Sequence, residues 1–247
     1  MPRTLKAPLR AAGALCVCLC LVLLLSCSVN QTIVIKGDGS GTLAMHAEVS
    51  KLLHDYIASL AEVSGTSTVM KGGKLFDVAS IRKDFESRPG ITVNKVATPT
   101  VDSLDLEIAF TSLQSVFAQN DTLKTAGAIV YTESPGKKTV KLHLDRSNYT
   151  QLSSLFPLLK DPSFAGLGPQ VNDTISENDY SEMIRFTMGD DGPALLKKSF
   201  ITLTINPDGD IISQTGGTLS GGAVTFRIPL VSLLVLDKPL DYSVTFK

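Results

Sequence analysis

The sequence predicts an α+β fold, an antiparallel β-sheet of hairpins with helices packed on one side, and three observations carry that prediction. Short runs alternate apolar and polar residues, most clearly at Leu104, Leu106, Ile108 and Phe110 with Asp105 and Glu107 between them. Gly- or Pro-bearing turns separate neighbouring runs at 37–41, 134–136, 206–209 and 216–222. Between the hairpins lie stretches whose apolar residues recur at helical spacing, the pattern of helices gathered against a sheet.

Taken in order, residues 31–36 (QTIVIK) and 42–49 alternate on either side of the Gly37-Asp38-Gly39-Ser40-Gly41 turn and form a first hairpin, with Leu43, Met45, Ala47 and Val49 on one face. Ser50 caps a helix with Leu52, Leu53, Tyr56, Ile57, Leu60 and Val63 at helical spacing, and Gly65 stops it. Asp77 is placed as the N-cap of the next helix, with Phe76 and Ile81 at the positions of a hydrophobic staple and Val78, Ile81 and Phe85 as its buried stripe. Pro89-Gly90 ends it, a short strand from Ile91 follows, and residues 104–111 give the clearest strand. A short helix over 112–119 precedes a second hairpin, 128–133 with 139–145. Tyr149, Leu152, Leu155, Phe156 and Leu159 mark a helix interrupted by Pro157, and 161–173 is a Gly- and Pro-rich loop. Helices are predicted over 177–188 and 194–198. The remainder reads as β: 200–205, 210–215, 223–229, a short apolar segment over 230–236, and 242–246.

The first residues set a compartment. Arg3, Lys6 and Arg10 precede an apolar run over 11–25, which has the length of a secretory h-region and is short for a membrane span. The run closes on Leu24-Leu25-Ser26-Cys27. This tetrapeptide resembles the bacterial lipobox, which implies that Cys27 is the lipidation residue, thioether-linked to diacylglycerol and first in the mature chain. Residues 1–26 are then a lipoprotein signal peptide and 27–247 a single α+β envelope domain anchored through Cys27. An ordinary cleaved signal or an uncleaved anchor helix are the alternatives. Only three residues separate Cys27 from the first alternating run, a span of about 10 Å when extended, so the domain is expected to sit against the membrane.

Composition narrows the classes. The chain has 23 Lys+Arg against 24 Asp+Glu, but three of the cations and no acids precede Cys27, leaving residues 27–247 at about −4. Without Trp and without basic clusters, there is no stripe of cations for a phosphate backbone, so nucleic acid is not expected as a partner. All four Cys lie at or before Cys27, so the rest of the chain has no disulfide and no Cys metal site.

No catalytic constellation emerges, and the chain is expected to be no enzyme, with no metal and no cofactor. Of the three His, His143 has a carboxylate two residues on, Asp145, but on a polar strand face shared with Lys141 and Thr139; His46 and His54 read as polar-face residues. Ser80-Ile81-Arg82-Lys83 matches the S-x-x-K of penicillin-recognising enzymes and Lys124-Thr125-Ala126 partly matches their K-T-G. The S-x-N element, Ser176-Glu177-Asn178, falls in the wrong order, so chance explains the match. Gly37, Gly39 and Gly41 join two strands and lack the helix start that would hold phosphate. Asp208-Gly209-Asp210 and Asp190-Asp191-Gly192 read as turns.

What remains is a surplus of apolar residues at 149–167 and 230–236, punctuated by Pro157, Pro162, Gly166, Gly168 and Pro229. Core packing and a ligand pocket are both open readings of it. On the second, Phe156, Phe164, Leu167 and Leu233 line the mouth of a cavity for a lipid or other apolar ligand.

The stretches 31–50 (QTIVIKGDGSGTLAMHAEVS) and 201–246, with a P-x-G turn at Pro207 to Gly209 and a late Gly-rich turn, resemble the two ends of the LppM-like family of bacterial envelope lipoproteins and of related spirochaetal lipoproteins. Phe226 stands where that pattern has Trp. The resemblance implies an envelope lipoprotein with an α+β domain that holds a lipid, and it carries over no catalytic residue. The expected partners are a membrane, through the diacylglyceryl anchor, a lipid ligand and an envelope protein; the alternative is an interaction, scaffold or surface-antigen lipoprotein with a filled core.

Overall fold

The computed structural model describes residues 27–64, 74–118, 127–153, 168 and 175–247. The fold is α+β, mostly antiparallel, and the strands form two sheets. The N-terminal hairpin joins β1 (Ser28–Ile35) to β2 (Gly41–Glu48) in register from Ser28 with Glu48 to Ile35 with Gly41. β2 pairs with β4 (Ser103–Phe110), and β4 with β3 (Ile91–Ala97). On its other side β1 lies parallel to β7 (Phe200–Pro207), which is followed outward by β10 (Ala223–Pro229) and the short β9 (Thr218–Ser220). The first sheet thus has seven strands in the order β3-β4-β2-β1-β7-β10-β9, with β1 at its centre. The second has four: β5 (Ile129–Ser134), β6 (Lys137–Leu144), β11 (Leu240–Phe246) and β8 (Ile211–Thr215).

The parallel β1–β7 pair is not what a succession of hairpins predicts. It joins segments whose paired residues, Ser28 with Phe200 for example, are far apart in sequence, and such a pairing leaves no local mark. The seven-stranded sheet buries one face. Val29, Leu43, Met45, Ala47, Leu104, Leu106 and Ile108 pack there with Phe76, Val78, Ile81 and Phe85. The last three lie on α2 (Val78–Glu86). Towards β10, the same face meets the second sheet, where Ile35, Phe110, Ile205, Val224 and Phe226 close on Val244 and Phe246.

Asp77 caps α2 as predicted, its carboxylate accepting from the backbone N–H of Ala79 and Ser80 at 3.1 Å. Ser50 accepts from Leu53 N–H at 3.3 Å at the start of α1 (Lys51–Ser64). α3 (Leu113–Ala118) and α4 (Arg146–Ser153) are short. α5 (Glu177–Met188) and α6 (Asp191–Lys198) meet at Gly192, where a Cβ would stand 2.8 Å from the Ile184 side chain.

The apolar segment at 230–236, read with the β remainder, is the helix α7 (Leu230–Val235). An unbroken apolar run does not distinguish strand from helix. The helix forms because it is enclosed: Leu230, Val231, Leu234 and Val235 pack with Tyr180, Ile184 and Leu196 of α5 and α6, while Leu233 and Leu236 face Ala128 and Leu144. Leu236 ends it in the left-handed region at φ 48°, and the Arg146 guanidinium donates to the carbonyls of Leu236 (3.0 Å) and Val235 (3.2 Å).

Candidate functional site

Cys27 enters β1 without a linker and is buried, 9% exposed. Three contacts hold it. Its N–H donates to Ser199 Oγ at 3.1 Å, its carbonyl accepts from Phe200 N–H at 3.3 Å, and its Sγ lies 3.8 Å from Ser50 Oγ. Ser199 is fully buried; its hydroxyl donates to the Leu195 carbonyl at 2.7 Å, and its own carbonyl accepts from Leu230 N–H at 3.0 Å. One serine therefore ties the end of α6, the start of α7 and Cys27 together. Burial pushes the Cys27 thiol above its ordinary pKa, against smaller opposing effects from Ser50 and Ser199. A buried thiol is less available as a nucleophile than an exposed one.

Beside this end a small cleft of about 100 Å³ lies between α1 and α6, lined by Leu52, Asp191, Ala194, Leu195 and Lys198.

Of the residues assigned to a ligand pocket, Phe156, Phe164 and Leu167 lie outside the described residues. Leu233 is half-buried on α7 and packs with Ala128, Leu144, Leu236, Tyr149 and Leu240. Gly168 belongs to the same neighbourhood, since a Cβ there would stand 2.8 Å from Tyr149 Oη. The structure thus brings Tyr149 and Leu233, from the two apolar segments singled out in the sequence, together with the neighbouring Gly168 to one end of the second sheet.

The uncovered face of the seven-stranded sheet is polar. Two cross-strand rows run over it, Glu107-Ala44-Thr32-Thr204-Thr225 and Asp105-His46-Asn30-Thr202-Arg227. An irregularity between Val93 and Lys95 turns the Lys95 ammonium onto this face, 3.0 Å from Asp105 Oδ2. His46 Nδ1 is 2.7 Å from Asp105 Oδ1, and hydrogen bonds from His46 and then Lys95 hold the Asp105 carboxyl below the usual carboxylate range. The small Ala44 leaves a shallow depression of about 300 Å³ among Asn30, Thr32, His46, Lys95 and Glu107.

All three His meet a carboxylate, not His143 alone. His46 pairs with Asp105 and His54 with Asp102, and His143 lies between Asp241 Oδ1 (2.8 Å) and Asp145 Oδ2 (3.4 Å). The Asp145 neighbour was legible at i+2. The other partners come from different elements, and no spacing in the sequence announces them. Ser80, of the S-x-x-K match, donates its hydroxyl to Asp77 Oδ2 at 2.9 Å as part of the α2 cap. Among the described residues, no three His, Cys, Asp or Glu side chains converge in a way that would hold a metal, and no helix is long and apolar enough to cross a membrane.

No protein-family model matches the chain, and a comparison with curated proteins finds no match. Among solved structures, it is similar to the folded domain of the Mycobacterium tuberculosis LppM protein determined by NMR. The TM-score is 0.41 with 11% identity, over 90% of this chain and 89% of that one.

Proposed function

We propose that this chain is a lipoprotein of the bacterial cell envelope, held to a membrane by a diacylglyceryl thioether on Cys27, and that its domain is a non-enzymatic module that binds a lipid or other apolar ligand. The observation that carries the anchor reading is the position of Cys27. It follows the cationic and apolar leader directly and opens the central strand of the larger sheet, so a lipid on its sulfur fixes the whole domain at the bilayer. In forming the thioether, the Sγ–H bond is replaced by an Sγ–C bond to a glyceryl carbon of a phospholipid donor, and the donor's phosphorylated headgroup leaves with the proton. Water then cleaves the peptide bond between Ser26 and Cys27.

The ligand reading is supported by the grouping of Tyr149 and Gly168 with Leu233 of α7, whose first residue hydrogen-bonds Ser199 beside Cys27. A site at this end faces the bilayer on this reading; Phe156, Phe164 and Leu167, assigned to its mouth from the sequence, lie outside the described residues. The proposal is tested in two steps. Labelled palmitate should enter the wild type and not Cys27→Ala. Organic extracts of the purified domain should contain lipid by mass spectrometry, and a fluorescent fatty acid should bind it but not Phe164→Asp or Leu167→Asp, because an ionised carboxylate in an apolar mouth opposes an acyl chain.

A second reading rests on the uncovered polar face. If extracts hold no lipid and the probe does not bind, the domain is an interaction protein whose envelope partner docks on the rows around His46 and Asp105.

A further inference from the structure

We infer that the end of the larger sheet at which Cys27 enters is a docking surface for an anionic lipid bilayer, a second contact beside the covalent anchor. The inference rests on the lipoprotein reading for what brings a bilayer to this end, and adds which surface of the domain meets it and which lipids it selects.

Register defines this end. Ser103, Glu48, Ser28, Phe200 and Pro229 form one cross-strand row, at which β4, β1 and β7 begin and β2 and β10 end. Cys27, the residue before β1, therefore stands among the connections that leave this row. Those connections are rich in cations. Lys51 follows Ser50 after β2, Lys197 and Lys198 precede Ser199 before β7, and Lys74 lies beside Leu75, whose N–H donates to the Val101 carbonyl at 3.5 Å in the β3–β4 turn. Arg227, two residues before Pro229, holds its guanidinium over the Phe200 ring at 3.6 Å. All five side chains are exposed.

Charge decides what this rim suits. Lys74, Lys197, Lys198 and Arg227 have no carboxylate partner among the described residues, while Lys51 is paired with Asp55 at 2.7 Å. Of the acids in the same connections, Asp102 is held by His54 and Glu48 is unpaired among the described residues; Asp191 stands at the opposite end of α6. Four unpaired cations against one unpaired acid contrast with residues 27–247 as a whole, at about −4. The excess complements a surface of anionic headgroups, where each added Lys or Arg strengthens binding about fivefold. At the tip of the β3–β4 turn Val101 is 48% exposed, an apolar side chain in the same rim, placed to enter the interface while the lysine stems lie along it. An apolar tip framed by cations fits a bilayer, whereas a free phosphate gives Val101 nothing to meet.

The test uses the full chain, produced in a bacterium that processes lipoproteins, assayed for palmitate incorporation, and reconstituted from detergent into vesicles of phosphatidylcholine alone or in equal parts with phosphatidylglycerol. The chain contains no Trp, so Val101→Trp supplies a single fluorophore at the rim. In the anionic vesicles its emission should shift to the blue and be quenched by lipids brominated along their acyl chains. In neutral vesicles, and in anionic ones at high salt, both effects should fall away. Leu219→Trp, exposed on β9 and paired with Val224 away from the row, should stay unquenched in both. Adding Lys198→Gln to Val101→Trp should lower the ratio of docked to undocked chain about fivefold, and Lys74→Gln takes its place if that variant does not fold. Equal quenching in the two kinds of vesicle, or none in either, overturns the docking surface and, where palmitate is incorporated, leaves the anchor standing. Quenching confined to anionic vesicles without palmitate upholds the docking surface and removes the thioether.

Discussion

Ser199 Oγ accepts the Cys27 N–H at 3.1 Å while donating to the Leu195 carbonyl at 2.7 Å, so the residue before β1 and the last turn of α6 share one fully buried hydroxyl. Ser199→Ala leaves both the Cys27 donor and the Leu195 acceptor without that partner in a site closed to water. Such a loss costs about 1–3 kcal/mol. Urea denaturation should show it as a lower midpoint with an unchanged slope, and a midpoint equal to the wild type would mean that Cys27 is not held there in solution.

Core and periphery separate at two phenylalanines. Phe226 is 2% exposed between the two sheets and meets Tyr242 edge-on, with ring centroids 5.5 Å apart. Phe226→Ala should cost about 3–5 kcal/mol. Phe85 belongs to the α2 stripe that the sequence marked as buried, but it is half-buried, and Arg88 covers its ring at 4.8 Å. Phe85→Ala should therefore cost clearly less than Phe226→Ala, and the reverse order in paired denaturation curves would contradict the packing described.

These two residues also illustrate how far the sequence could be read. The α2 boundaries were legible because a cap and a staple are local chemistry: Asp77, Phe76 and Ile81 lie within one turn of each other. The alternation of β4 was equally plain, since every second residue from Leu104 to Phe110 is buried against α2 or the second sheet. The division into two sheets was not, because it depends on β1 choosing β7 as its neighbour. The contacts that hold Cys27 were hidden for the same reason. Ser199 sits in an unremarkable stretch after Lys197 and Lys198, and only folding brings it to residue 27. The apolar surplus at 230–236 was visible, but its helical form follows from enclosure by α4, α5 and α6. Phe156, Phe164 and Leu167 lie outside the described residues.

The His143 cluster predicts a pH dependence. The hydrogen bond to Asp241 above all raises the His143 pKa over its ordinary value, against the opposing effect of burial and with a lesser contribution from Asp145; Lys141 lies two residues away on the same strand. A raised pKa in the folded state means that the contribution to stability is complete below the unfolded His value and is lost as pH rises through the folded one. Asp145 has the opposite sense: bonds from Ser147 and Asn148 lower its pKa, so its contribution is present above the unfolded Asp value and fades as pH falls through the folded one. The melting-temperature difference between wild type and His143→Gln should therefore be largest near about pH 5 and shrink towards about pH 9. A difference that grows with pH would reverse the assignment of charge to this pair.

The last prediction concerns Gly41, where β2 begins between β1 and β4. Its backbone is not in the left-handed region, so conformational freedom is not the reason for glycine here. Space is: a Cβ would fall inside the van der Waals shell of the Val34 carbonyl oxygen and stand 2.6 Å from Phe110 Cζ. The Val34 oxygen belongs to the central strand and cannot turn aside as a side chain could. Phe110 is 6% exposed and wedged between Ile35 and Leu113, so its ring has nowhere to go without opening the core between the sheets. Gly41→Ala should cost more than about 3 kcal/mol, beyond the ordinary range for an overpacked core. Gly37, in the same turn, has nothing within 4 Å of its would-be Cβ and no positive φ, so Gly37→Ala should stay within about 0.5 kcal/mol of the wild type. Thermal denaturation of the two variants side by side checks the register of β2 against β4, since a one-residue slip there would remove Gly41 from its place beside Phe110 and bring the two substitutions closer together.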